Sequence, residues 1–107
     1  MKITIKSTKL ELTKAISAYF QAKMDAVEKF LGDVKVINCD VEIEKTVGGR
    51  HKGEIFRAEV NLEVPRQLLR VEKTEKDLYK AIDKVKDHLE LVIKKYKEKM
   101  IDKKRGK

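Results

Sequence analysis

Reactive side chains are few in this chain of 107 residues. His51 and His88 are its only histidines and Cys39 its only cysteine, and none stands at the spacing of a metal site or of a nucleophile beside a base. Cys39 falls at an apolar position of an alternating run, where a thiol is expected to be buried and inert. Gly48 and Gly49 lack the following Lys-Ser/Thr and the helix start of a phosphate-binding loop, so a hairpin turn explains them better. With no nucleophile-base or paired-carboxylate arrangement in view, the chain is expected not to be an enzyme. No cofactor, metal or small-molecule substrate is implied.

The abundant chemistry is cationic. Lys and Arg number 26 against 18 Asp and Glu, a formal net charge of +8. Such a surface attracts polyanions, whose counterions are released on binding, and this ranks nucleic acid above a metabolite as partner. Residues 94–107, KKYKEKMIDKKRGK, hold eight Lys/Arg against two acids, which places +6 of the +8 at one end. The bland account of that run is a frayed, solubilising terminus. A lone cysteine agrees with a reducing compartment, and neither a spanning helix nor a secretory signal can be placed, so a cytoplasmic protein without a membrane partner is expected.

The elements that would position these charges follow from periodicity. Residues 2–6, KITIK, alternate as a strand. Thr13 is a candidate cap for a helix whose Ile16, Phe20, Met24, Val27 and Leu31 recur at three and four, with Gly32 just past its end. Ile37, Cys39, Val41 and Ile43 form the apolar side of a second strand, and Phe56, Ala58, Val60, Leu62 and Val64 that of a third. Pro65 ends the third strand, and Leu69 and Val71 open a short fourth. A last helix, expected over about 76–100 with Thr74 as candidate cap, carries Leu78, Ile82, Val85, Leu89, Val92 and Tyr96 on its apolar arc. Apolar residues make up 41% of the chain, enough for one core. The expected fold is α+β: a two-layer β-α-β-β-β-α sandwich with a four-stranded mixed sheet and both helices on one face.

On the sheet's other face the pattern puts Asp40, Glu42, Glu44, Glu59 and Glu63 against Arg57, with no aromatic. Phosphate would be repelled there and bases would find no stacking platform, so RNA binding belongs to the helices. Around the second helix, with Leu89 toward the core, Lys80, Lys84, His88, Lys95 and Lys99 fall on one flank, whereas Asp83, Asp87 and Glu90 fall toward the other. Lysines spread in this way suit backbone phosphates and RNA shape more than base reading. A solvated helix face is the ordinary alternative. Leu91 lands on the exposed basic side, where it either stands alone or marks a contact.

Residues 69–99, LRVEKTEKDLYKAIDKVKDHLELVIKKYKEK, together with Leu10-Glu11-Leu12-Thr13, Ala15-Ile16, Tyr19, Lys23 and Glu28-Lys29, resemble the ribosome hibernation promoting factor and protein Y family of ribosome-associated inhibitors. The resemblance spans essentially the whole chain. It implies a fold laid out like double-stranded RNA-binding domains and a protein that binds the small ribosomal subunit and its rRNA. There it would block the mRNA and tRNA sites, inhibiting translation and preserving idle ribosomes in the stress response. It carries Lys23, Lys29, Arg70, Lys94, Lys95 and Lys97 over as RNA-binding positions, to which the charge map adds Lys80, Lys84, Lys86 and Lys99. Where many relatives have Arg-Gln, this chain has Leu91-Val92, and Ala22 and Ala26 replace residues that are often basic. The expected organisation is a ribosome-binding domain over 1–99 and a basic tail over 100–107. The chain is read as a short form, or as the N-terminal domain of a long one, and as monomeric off the ribosome. A general structured-RNA-binding or RNA-chaperone module is the competing reading.

Overall fold

The structure, a computed structural model, describes residues 1–47 and 53–104. Its elements run β1 (Thr4–Thr8), α1 (Lys14–Leu31), β2 (Asn38–Val47), β3 (Glu54–Val64), β4 (Gln67–Glu75) and α2 (Leu78–Lys104). The sheet order is β1-β2-β3-β4, with β1 parallel to β2 and the other pairs antiparallel, as a crossover through α1 requires. Gly48, Gly49 and His51 lie outside the described residues.

One face of the sheet is apolar, and both helices share it. Val41, Ile43, Ala58, Val60, Leu62, Val64, Leu69 and Val71 form a single core with Phe20, Met24, Val27 and Leu31 of α1 and with Ile82, Val85, Leu89 and Ile93 of α2. Along α2, which lies over β3 and β4, Ile93 is buried and Val92 only half-buried, so the helix is turned slightly from the arc expected around Val92. Ala81 completes its buried stripe. Cys39 is buried, and desolvation pushes its thiol up to about 12, which leaves it without a nucleophilic thiolate.

Local chemistry sets the ends. The Thr13 side chain accepts from the Ile16 amide at 3.1 Å, and Gly32 closes α1 at a φ of 62°, where a Cβ would be strained. Asp77, not Thr74, caps α2: its carboxylate accepts from the Tyr79 amide at 2.8 Å. Thr74 is unavailable because β4 runs on to Glu75, nine residues in place of the short strand expected. Ile37, expected on the inner face, is 52% exposed because β2 begins only after it. The expected division at residue 99 is no end of structure, since α2 continues to Lys104 and Met100 packs on the core.

Between β3 and β4 the register pairs Val64 with Gln67, which leaves Pro65-Arg66 as a two-residue turn. Arg66 sits at a φ of 71°, the place a type II turn gives to glycine. Left-handed strain on a side-chain-bearing residue costs about 1–2 kcal/mol, against roughly 0.5–1 kcal/mol for glycine's extra chain entropy. Arg66→Gly should therefore raise stability by up to about 1 kcal/mol, read as a higher urea midpoint at unchanged slope.

Candidate nucleic-acid interface

The two faces of the molecule carry opposite charge. Across the open sheet face the register aligns Lys6, Glu42, Glu59 and Glu72 in one row, with Asp40, Glu44 and Glu63 nearby. Carboxylates directly opposite one another repel, and Arg57 answers them. Its guanidinium donates to Glu44 at 2.9 Å and Glu72 at 3.2 Å, contacts Glu42, and lies 3.5 Å from Glu59. Glu59 is 7% exposed, and although burial works to raise its pKa, the hydrogen bond from Arg70 and the charges of Arg70 and Arg57 hold it below the usual range. Arg70 is thus placed on the acidic face, 2.6 Å from Glu59, and is not brought together with the helix lysines as expected. The parity of β4 is the reason: Leu69 and Val71 point inward, so Arg70 must point out. Among the described residues no aromatic lies on this face.

Opposite the sheet, the helices hold the remaining candidate cations in two states. Lys23, Lys86 and Lys97 are tied down. Lys23 lies 3.2 Å from Asp83 and 5.1 Å from the Tyr19 ring centroid, Lys86 pairs with Glu90 at 3.3 Å, and Lys97 donates to the Phe30 carbonyl at 3.2 Å. Lys84 is engaged with Glu75 but remains 56% exposed. Lys29, Lys80, Lys94, Lys95 and Lys99 are exposed and have no ion-pair partner among the described residues. Lys80, Lys84, Lys95 and Lys99 follow one flank of α2, with Lys94 on its crest and Lys29 on the last turn of α1. A row of ammonium groups on a rigid helix is suited to successive backbone phosphates.

Two features of this layer depart from the expected charge map. Lys73 comes from β4, yet it joins Lys84, Asp87, His88 and Leu91 around a notch of about 320 Å³. Extending the inward positions Leu69 and Val71 by one pleat step reaches Lys73, so period two carried the signal. Asp87, expected on the acidic flank, lines the same notch because 84, 87, 88 and 91 share a helix face.

A clasp fixes the spacing of the helices. The Tyr19 hydroxyl donates to Asp83 at 2.5 Å, Lys23 adds its ion pair, and Tyr79 meets Tyr19 edge-on with centroids 4.8 Å apart. Partial burial works to raise the Asp83 pKa, but the hydrogen bonds from Tyr19 and Lys23 outweigh it and hold the carboxyl low.

Comparison with known proteins agrees with this geometry. A family model described as Sigma 54 modulation protein / S30EA ribosomal protein matches residues 3–101. The ribosome hibernation promotion factor of Lactococcus lactis subsp. cremoris is 33% identical over 100 residues, covering 94% of this chain and 51% of that protein. Its counterpart in Deinococcus radiodurans is 30% identical over 89 residues, covering 82% and 44%. The chain thus spans about half the length of the curated relatives it matches. Among solved structures, the Thermus thermophilus Protein Y N-terminal domain aligns at TM-score 0.69 and 30% identity, covering 90% of this chain and 99% of that one. A ribosomal subunit interface protein from Coxiella burnetii, 17% identical at TM-score 0.67, shares the fold.

The clasp has a pH signature. A carboxyl held below its ordinary 3.8 stabilises the fold fully above that value, and the contribution is lost as pH falls through the folded value. Asp83→Asn should unfold at lower urea than the parent at pH 7, and the gap should begin to close only as pH falls below about 4, as followed by circular dichroism.

Proposed function

The chain belongs to the Sigma 54 modulation protein / S30EA ribosomal protein family, and on that premise we propose that it is a ribosome hibernation factor of the cytoplasm. It binds the small ribosomal subunit through rRNA and occupies the mRNA and tRNA sites, which inhibits translation and preserves idle ribosomes. The observation that carries this reading is the separation of charge: unpaired lysines on the helical layer, and carboxylates with their cations on the sheet. A polyanion can approach one side only. Lys29, Lys80, Lys94, Lys95 and Lys99 are the phosphate contacts of first rank, joined by Lys84 once it exchanges Glu75 for phosphate. Lys23 and Lys97 chiefly hold the two helices together, Lys86 pairs along α2, and Arg70 steadies Glu59 while remaining exposed at the sheet margin. Binding requires no cofactor, and the protein is a monomer before it meets the subunit.

Ribosome hibernation promotion factors among the relatives support the biological role, and the crystal structure of a Protein Y N-terminal domain supports the same disposition of helices. A general RNA-binding module would instead treat any folded RNA alike.

Co-sedimentation with purified small subunits at low and high salt tests the proposal. The subunit should outcompete bulk duplex RNA, and affinity should fall steeply with salt. Lys80→Glu with Lys95→Glu breaks no ion pair found in the fold, so circular dichroism should be unchanged. The slope of log affinity against log salt should drop by about two, one per lost phosphate contact. Equal competition by duplex RNA would favour the chaperone-like reading.

A further inference from the structure

We propose that the notch between β4 and α2 receives a single unstacked nucleotide of the bound RNA. This rests on the RNA-binding reading above and adds a subsite to it. The base lies against Leu91 and His88, and its phosphate meets Lys73.

Three observations lead there. Leu91 is 61% exposed although Leu89 and Ile93, two residues to either side, are fully buried. Helical phase turns it outward, and no packing within the chain explains an apolar side chain amid lysines. Beside it the exposed His88 supplies a flat imidazole, and together they make the kind of apolar and π contact on which an unpaired base rests. Charge is the second observation. Lys84 is engaged with Glu75, and Asp87 stands 3.9 Å from Lys86, whereas Lys73 has no ion-pair partner among the described residues. An unpaired ammonium at the rim fits one phosphate, and Lys80 and Lys95 on the same flank fit its neighbours along the strand. Asp87, out of place against phosphate alone, is an acceptor for the exocyclic amino group of a base. Size is the third. The notch is a shallow, open depression of about 320 Å³, against which a single base can lie flat without being enclosed. Because β4 is the last strand of the sheet, nothing covers the notch from that side among the described residues.

The test compares His88→Ala with Leu91→Ser, combined in one chain, against Lys73→Gln and the parent protein. All three positions lie outside the core, so the fold should persist, checked by circular dichroism. The double variant should lose about tenfold in affinity for the small subunit, with the salt slope and the affinity for fully paired duplex RNA unchanged. Lys73→Gln should lower the slope by about one. Chemical probing of the bound subunit should show one unpaired nucleotide protected by the parent and exposed with the double variant. Unchanged subunit affinity in the double variant would overturn the proposal alone, as would an equal loss toward duplex RNA. An affinity loss without any change in nucleotide reactivity would also overturn it and would assign the notch to a ribosomal protein. Failure of the parent protein to bind subunits would overturn the RNA-binding reading and this subsite together.

Discussion

Four strands with only one apolar face leave two amphipathic helices no choice of side. The fully buried inward positions of β2, β3 and β4 from Cys39 to Val71 are aliphatic or a thiol, and the helices bring Phe20, Met24, Leu89 and Ile93 to meet them. Burial of this kind is the main favourable contribution to folding, so the outer sheet face must remain wet. What fills a wet face is then open to selection for charge. Here it holds Asp40, Glu42, Glu44, Glu59, Glu63 and Glu72 against Lys6, Arg57 and Arg70, within a chain whose total is +8. Arg57 makes that tolerable, because one planar guanidinium reaches four glutamates that would otherwise repel across the strands. Cations on the sheet are thereby consumed, and those on the helices are left exposed.

The helical layer repeats the division on a smaller scale. Three of its lysines fix geometry: Lys23 in the Tyr19–Asp83 clasp, Lys86 along the helix to Glu90, and Lys97 across to the last turn of α1 at Phe30. The first and last of these contacts set how far α1 lies from α2, and with it the spacing between Lys29 and the row on α2. Preorganised charge of this kind favours one shape of polyanion over another, since lysines that are already spaced lose less freedom on binding. The exposed ion pairs among them contribute little stability singly. Their value lies in position, which is why a charge count alone could not separate the tied lysines from the free ones.

Much of the fold was legible in the sequence because period two and period three-to-four are direct consequences of backbone geometry. Thr13, Gly32, the strand faces and the parallel β1–β2 pair follow from that reasoning, and the structure agrees. Two of the misses share a cause. Thr74 and Lys73 both lie on β4, whose true length shows only in its pairing with β3 out to Glu75 and Phe56. A strand read as short leaves Thr74 free to cap a helix and detaches Lys73 from α2, whereas the inward Leu69 and Val71 were already enough to turn Arg70 outward. Pairing is a tertiary fact, and β propensity in a charged segment such as Arg70-Val71-Glu72-Lys73 announces it weakly. Val92 against Ile93 is a subtler miss, a small turn of α2 that leaves Leu78, Ile82, Val85, Leu89 and Tyr96 buried as expected and that only the shape of β3 and β4 beneath it decides. The family resemblance supplied the ribosome; residue types and spacing supplied only a polyanion.

Charge separation also bears on approach. A molecule carrying +8 overall with an acidic face is an electrical dipole as well as a cation, and in the field of a highly charged RNA it experiences a torque as well as an attraction. In the proposed encounter this torque turns the sheet face outward, so that the helices meet phosphate first. Salt screens both effects beyond roughly 10 Å at ordinary ionic strength, and final placement then depends on short-range features that screening does not erase. On the proposed reading, unpaired lysines along α2 supply the attraction, the clasp supplies their spacing, and the exposed Leu91 beside His88 adds a contact that does not depend on charge.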